Sequence, residues 1–291
     1  MFKLPTKDTP ILYQGITTEM GAVHTERAIA YGSHIVAGTS RDPHVKNYQN
    51  IPVFQTVREA VRKTKPVVSV IFSTPARALT EVEEAVRAKI PLIICTTEHV
   101  PLHDCIKMIL LARQKGVTLI GPSSPGIVRV GECLSGCIPA HLFPKGNVGI
   151  IGRSSSLMYE AVQQLSAEGL GVSTCISLGA SHLIATPFTA VLDEMMADKQ
   201  TKAILVVGQL SGNLEMDLAL AYRKYRRKKP LIVYIPGQTE SGAKVPLLEF
   251  QEVNFQKVIS EQKEALQKAG AVWISNPAEM GKTVVNTMQK K

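Results

Sequence analysis

Short apolar runs alternate with amphipathic stretches along the chain. Strands are expected at Ile11–Tyr13, His34–Ala37, Val67–Phe72, Leu92–Cys95 and Thr118–Ile120, and helices at Met20–Tyr31, Thr56–Thr64, Ala76–Lys89 and Asp104–Lys115. The rhythm pauses between Gly121 and Gly146, a stretch rich in proline and glycine. It then resumes. Strands are expected at Val148–Ile151, Ser173–Ser177, Ala203–Val207, Leu231–Ile235 and Ala271–Ile274. Helices are expected at Ser155–Glu168, Phe188–Ala197, Met216–Arg226, Phe255–Ala269 and Ala278–Gln289.

Apolar strands of a few residues, alternating with helices, imply parallel sheets covered on both faces. Two such series imply an α/β protein of two open, doubly wound domains with mainly parallel sheets. The expected division is 1–125, a connection over 126–146, and 147–291. In such folds ligands sit outside the carboxyl ends of the strands, so the strand-to-helix loops hold the informative residues.

The first of these loops reads Gln14-Gly15-Ile16-Thr17-Thr18-Glu19-Met20-Gly21. Gly15 permits a tight turn, Gly21 permits close packing of helix on strand, and the helix N-terminus offers free N–H groups to an anion. The alternative is a plain glycine turn. Thr18 stands where a middle glycine would let a pyrophosphate approach. A nicotinamide dinucleotide also needs an acid at the end of the second strand. The chain there reads Ala37-Gly38-Thr39-Ser40-Arg41, with no acid before Asp42. Arg41, His44 and Lys46 suit a phosphorylated ribose better.

Composition narrows the classes. Of 291 residues, 45% are apolar and 20% charged, which fits a globular protein and excludes collagen-like, coiled-coil and disordered chains. The net charge of +9 divides into +6 over residues 1–145 and +3 over 146–291. Six basic side chains of the second part lie in one run, Arg223–Lys229. That run reads as a solvated helix end whose cations complement the helix dipole, with an acidic partner or RNA surface as the alternative. No recognised DNA-binding motif accompanies it, so nucleic acid is not an expected ligand. The first residues lack an apolar core of signal-peptide length, and no stretch reaches 18 uninterrupted apolar residues. A cytoplasmic protein with no membrane span is therefore expected. The five scattered cysteines read as reduced structural thiols, and Cys133 with Cys137 does not complete a metal site.

Several ordered motifs carry a family resemblance. They are Gly15–Gly32 with Ala28-Ile29-Ala30-Tyr31-Gly32, Pro52–Ala60, Thr96-Thr97-Glu98, Gly121-Pro122-Ser123-Ser124-Pro125-Gly126, Gly131-Glu132-Cys133, and Arg153-Ser154-Ser155-Ser156-Leu157-Met158-Tyr159-Glu160. From about Gln14 to the last helix the sequence resembles the α subunit of succinyl-CoA synthetase. The resemblance implies a Rossmann-like CoA-binding domain, then a flavodoxin-like ligase domain, and an ATP-grasp β subunit as partner. Coenzyme A is the implied cofactor, and ATP or GTP enters only through the partner. The implied CoA-binding residues are Gly15, Thr17, Thr18, Glu19, Met20, Gly21, Arg41, Lys46, Thr96, Thr97 and Glu98. The implied phosphate or substrate residues are Ser154, Ser155, Ser156, Tyr159 and Thr186. Two helix N-termini, after Arg153 and after Thr186 as N-cap, are expected to hold phosphate or sulfate. The bland reading is that Ser154 and Thr186 are ordinary caps.

The sequence also departs from that family. The family loop Gly-Phe-Thr-Gly-Ser-Gln-Gly has Thr18, Glu19 and Met20 in place of its Gly-Ser-Gln. Its Pro-Gly-Lys-Gly-Gly segment is replaced by Arg41–Lys46, and Gly-Pro-Asn-Cys-Pro-Gly by Gly121–Gly126. The family's phosphohistidine position falls near Leu247 or Leu248, and its orienting glutamate position is Gln209. The last of the seven histidines is His182, an exposed-loop histidine by position. A nucleophile and the carboxylate that orients it act as one unit. The standard phosphoryl relay is therefore not expected. Two readings follow: a component of an NDP-forming acyl-CoA ligase with altered chemistry, or a non-catalytic CoA- or nucleotide-binding regulator or scaffold.

Overall fold

A computed structural model describes residues 3–209, 214–225, 229–238 and 255–290. The chain divides into two compact units, residues 1–145 with 174–187, and 146–173 with 188–291.

The first seven-stranded sheet contains β1 (Ile11–Gln14), β2 (Ile35–Thr39), β3 (Asn47–Tyr48), β4 (Ile51–Phe54), β5 (Val68–Ile71), β6 (Leu92–Cys95) and β7 (Thr118–Ile120). Their order is β3-β4-β2-β1-β5-β6-β7. The pairings are parallel except between β3 and β4. The connecting helices are α1 (Glu19–Tyr31), α2 (Val57–Thr64), α3 (Pro75–Arg87) and α4 (Leu102–Lys115). The strand order reverses direction at β1 and β5, which opens a crevice above their carboxyl ends. The core beneath it includes Leu12, Ile71, Val82, Ile93 and Met108, all buried. Burying each such side chain contributes roughly 1.5–3 kcal/mol.

The chain continues through β8 (Gly126–Arg129), β9 (Cys133–Gly136), β10 (Lys145–Gly152), α5 (Ser155–Ala167), β11 (Val172–Ser177), α6 (Phe188–Ala197) and β12 (Ala203–Val207). It ends with α7 (Leu214–Tyr222), β13 (Leu231–Tyr234), α8 (Phe255–Lys268), β14 (Val272–Ile274) and α9 (Met280–Gln289). The second sheet runs β14-β13-β12-β10-β11-β8-β9. Its β10, β12, β13 and β14 pair in parallel, whereas β11–β8 and β8–β9 are antiparallel. The fold class is thus the expected one, two mainly parallel sheets with interleaved helices.

The stretch 126–146, expected as a connection, holds the β8–β9 hairpin and the start of β10. Gly126 and Gly136 face each other across that hairpin at positive φ. A Cβ on either would lie 2.1–2.2 Å from a carbonyl oxygen of the other strand. Such a close backbone approach admits only glycine. Ser33 ties β9 to the end of α1: its hydroxyl donates to the Leu134 carbonyl and accepts from the Leu134 N–H, at 2.9 and 2.8 Å.

Candidate functional site

Gly15 turns the chain out of β1 at φ +73°, and a Cβ there would stand 2.2 Å from the Phe72 carbonyl oxygen. Gly21 lies against the same turn, where a Cβ would meet the Gly15 carbonyl oxygen at 2.0 Å. Both glycines are therefore required by packing, whatever binds above them. Thr18 is the N-cap of α1. Its Oγ1 accepts from the Gly21 N–H at 3.1 Å and donates to the Gly15 carbonyl at 2.8 Å. One helix-end donor that a phosphate could have used is thus held within the loop. Glu19 sits in the first helical turn, where the dipole stabilises a carboxylate.

The carboxyl ends of β1, β2 and β5 enclose a pocket of about 300 Å³. Gln14, Gly15, Thr17 and Thr18 form its wall from the first loop, and Thr39, Ser40, Arg41, Asp42 and Gln55 line it from the β2 side. Phe72, Ser73 and Thr74 follow β5, and Arg77, Glu81 and Glu84 project from α3. The walls are braced. Thr17 and Ser40 hydroxyls lie 2.7 Å apart. Gln55 Nε2 donates to the Ser40 and Asp42 carbonyls at 3.3 and 3.2 Å, which fixes the turn that presents Arg41. Gln14 Nε2 donates to Ser69 Oγ at 2.9 Å and to the Glu81 carbonyl at 3.2 Å. Glu84 accepts from the Val57 N–H and so caps α2.

At the back of the pocket, Arg77 Nε pairs with Glu81 Oε1 at 3.5 Å. Burial pushes the Glu81 carboxyl above the ordinary carboxylate range, with Arg77 and Ser73 opposing and Glu84 adding to the rise. Hydrogen bonds from the Ser73 and Arg77 side chains reach the Glu81 carboxylate, so these three groups face one another. On the far side of β5, the His24 ring stacks on Phe72 with centroids 5.4 Å apart. Burial, and then Arg27, lower the His24 proton affinity.

Of the residues expected around a ligand, the structure brings Gly15, Thr17, Thr18 and Arg41 to this pocket. Glu19, Met20, Gly21, Lys46, Thr96, Thr97 and Glu98 are not among the lining residues. Lys46 is exposed beside β3, and Glu98 is exposed after β6. The Thr96 hydroxyl donates to the Ile71 carbonyl at 2.7 Å and that of Thr97 to the Ser73 carbonyl at 3.2 Å. These two threonines lock the β5 and β6 ends together. Ser124, in the altered Gly121–Gly126 motif, donates to the Ser177 carbonyl at 2.6 Å and accepts from the Gly126 N–H at 3.0 Å.

Ser73, Arg77, Glu81 and Glu84 were not singled out from the sequence. Arg77, Glu81 and Glu84, spaced i, i+4 and i+7 along α3, mark one polar helix face, and such a face reads as solvent-facing until its surroundings are known.

In the second unit, Ser154 caps α5, accepting from the Leu157 N–H at 3.4 Å. Ser155, Ser156 and Tyr159 fall on the first turns of that helix, and the Arg153 side chain is buried beneath them. Thr186 was expected to cap the next helix; α6 begins at Phe188, and the buried Thr186 hydroxyl donates to the Leu119 carbonyl at 2.6 Å. Gln209 ends the described chain after β12, while Leu247 and Leu248 lie outside the described residues.

The five cysteines are free thiols, four of them buried. Burial pushes Cys137 up to about 11 and Cys95 up to about 12. Among the described residues no cluster of three or more His, Cys, Asp or Glu is placed to hold a metal ion. Among them, too, no helix is long and apolar enough to cross a membrane.

Residues 6–99 match the family described as CoA binding domain, and residues 145–285 that described as succinyl-CoA ligase like flavodoxin domain. The chain is 35% identical to the α subunit of ADP-forming succinate–CoA ligase from Aquifex aeolicus (strain VF5), over 98% of this chain and 94% of that one. It is 33% identical to the corresponding subunit of Staphylococcus aureus (strain N315), with the same coverage. Among solved structures, ATP citrate lyase from Methanothrix soehngenii in complex with citrate and coenzyme A superposes with a TM-score of 0.80 at 20% identity. That match covers 98% of this chain and 51% of the lyase, so this chain spans about half of its length. The apo dinucleotide-forming acetyl-coenzyme A synthetase 1 from Ca. Korarchaeum cryptofilum gives 0.78 at 17% identity, covering 92% and 58%. At these identities the structural likeness speaks for the fold, and the family rests on the sequence matches. On that ground the chain belongs to the succinate–CoA ligase α-subunit family.

Proposed function

We propose that this chain is the CoA-binding component of an acyl-CoA ligase of the succinate–CoA ligase type, and that it carries no phosphoryl group on histidine. One observation carries the first half: the pocket over β1, β2 and β5 falls inside the residues matching a CoA-binding domain. The residues there fit a CoA nucleotide. Arg41, exposed among the lining residues, is available to a phosphate. An ATP-grasp β subunit is the partner this reading requires, and ATP or GTP would bind there rather than on this chain. Bound CoA supplies the thiol that accepts an acyl group. The chain's own part is to hold the nucleotide end and orient the rest.

The second half rests on sequence. No histidine follows His182, and Gln209 stands where the family has its orienting glutamate. A leucine near position 247 or 248 has no nitrogen to phosphorylate, and an amide at Gln209 cannot orient a histidine as a carboxylate does. The start of α5 at Ser154, Ser155 and Ser156, capped by Ser154, is the proposed anion socket. Tyr159 and Thr186 complete the proposed phosphate or substrate set. Crystals grown in excess sulfate should show an anion at Ser155 and Ser156, and a clear absence would remove that socket. The same two changes favour a second reading, a non-catalytic CoA-binding regulator or scaffold.

One experiment separates the readings. The purified chain is mixed with its β partner, ATP, CoA and succinate, and both thioester and acid-labile phosphate on each chain are followed. This chain is expected to take up no acid-labile phosphate. Thioester formation without it supports an altered ligase, and no thioester supports the scaffold. Phosphate on this chain would overturn the proposal.

A further inference from the structure

The amino-terminal edge of the first sheet, opposite the pocket, carries a row of cations. α2, α3 and α4 pack side by side on one face of that sheet, around a shared core that includes Ala60, Val82 and Met108. Each helix runs back from the carboxyl edge, so all three end at the amino edge. The strands that follow start there in register: Val68 pairs with Leu92, and Leu92 with Thr118. Three residues before each of these starts stands a lysine: Lys65, Lys89 and Lys115. Arg62 and Lys63 lie in the last turn of α2, Arg87 in that of α3 and Arg113 in that of α4. All of these cations are exposed. Among the described residues, Arg87 alone of them has an ion pair, with Glu83.

Two features set this row apart from ordinary helix ends. The first is the size of the charge. Each helix C-terminus carries about half a negative charge, so three of them call for roughly 1.5 positive charges. Seven cations less the Glu83 carboxylate leave +6, as much as the whole excess of residues 1–145. The second is the backbone. Lys65 caps α2 at φ +50°, and Lys89, two residues beyond α3, stands at φ +59°. That left-handed conformation favours glycine and disfavours a residue with a Cβ. α1 and α4 of the same unit end on glycine in it, at Gly32 and Gly116. At two neighbouring ends the chain forgoes the favoured residue and gains a lysine instead. Strain of this kind is a feature of functional positions.

The shape of the row says what it fits. Strand spacing of about 4.8 Å and helix spacing of about 8–10 Å give it a length of roughly 10–20 Å. It stays on one face: α1 has no basic residue in its last turn, and Lys7 and Asp8 before β1 cancel. A line of cations suits a linear polyanion better than the broad plane of a membrane. An extended peptide of about four to six residues covers that length. The stretches 62–68, 87–92 and 113–118 contain no aromatic residue. The row therefore lacks the stacking platform of a single-stranded nucleic-acid groove. We propose that this edge binds an extended acidic segment of a protein partner, a run of aspartates and glutamates lying across the ends of α2, α3 and α4.

The test titrates the full chain into a fluorescent hexaglutamate peptide at low salt and follows anisotropy. Wild type should bind saturably, and more weakly as salt is raised. Lys65→Gly with Lys89→Gly removes two charges and supplies the residue that both backbone positions favour. It should bind about fivefold more weakly, the size of two exposed ion pairs, while its urea midpoint does not fall. Arg113→Gln with Lys115→Gln should weaken binding to a similar degree. Lys199→Gln with Lys202→Gln removes as much charge from exposed positions of the second unit, and it should stay within about twofold of wild type. No saturable binding by wild type, or an equal loss in the Lys199 and Lys202 variant, overturns the proposal. So does tighter binding of a duplex RNA of matched charge that the Lys65 and Lys89 variant loses, since the row would then be a nucleic-acid surface.

Discussion

Thr18 reshapes the first loop. Its one hydroxyl joins the Gly15 carbonyl to the Gly21 N–H, so a cap takes over part of an anion's role. Thr18→Ala should cost about 1 kcal/mol, measured as a lower urea midpoint with an unchanged slope. The buried thiols give a pH prediction. Cys95 is held at about 12 against an ordinary 9.0, so above pH 9.0 the unfolded chain loses a proton that the folded chain keeps. Fewer protons on the unfolded state means stability falls as pH rises, a loss that begins near 9.0 and continues to about 12. Cys137, up at about 11, acts in the same direction. Urea midpoints should therefore drop between about pH 8 and pH 10, and Cys95→Ala should flatten that drop. The loop residues were legible because glycines and a helix start in sequence fix a turn. Arg77 and Glu81 were not, since periodicity shows which side chains share a face and nothing of what stands opposite.

At the scale of elements, the basic run Arg223–Lys229 loses much of its strangeness. Arg223 and Lys224 are exposed on a short 3₁₀ turn that follows α7. Lys229 reaches back instead to the end of α6. Its Nζ donates to the Met195 carbonyl at 2.8 Å and also to the Asp198 carbonyl. Carbonyls at a helix C-terminus have no partner within the helix, and a cation there both bonds them and complements the dipole. Arg226, Arg227 and Lys228 lie outside the described residues. Lys229→Met should destabilise the protein by about 1–2 kcal/mol in thermal melts and leave CoA affinity unchanged. Loss of CoA binding in a folded Lys229→Met protein would show that this division of the charge is wrong. Most helices and parallel strands were legible from apolar runs, although α7 runs Leu214–Tyr222 where Met216–Arg226 was expected. The β3–β4 ribbon and the β8–β9 hairpin were not. Asn47–Tyr48 is two residues long, Pro52 interrupts β4, and Gly126 and Gly136 weaken a strand pattern while making that close pairing possible.

For the whole molecule, the net charge of +9 is spread unevenly, +6 over residues 1–145 and +3 over 146–291. The pocket does not support an evenly basic surface, since its lining carries three carboxylates and two cations. Its charges are arranged unevenly: Arg41 is exposed, and Arg77 pairs with Glu81. The pocket lies within the residues that match a CoA binding domain. Under the proposed reading, thioester formation would fall to a partner chain, since the sequence has no histidine after His182. The most direct test of the central claim is calorimetric titration of CoA into the full-length chain, with Arg41→Ala alongside. Saturable binding at a single site, weakened about tenfold or more in Arg41→Ala through loss of a phosphate contact, is the predicted result. No heat of binding in the wild type, or equal affinity in the two proteins, would contradict it.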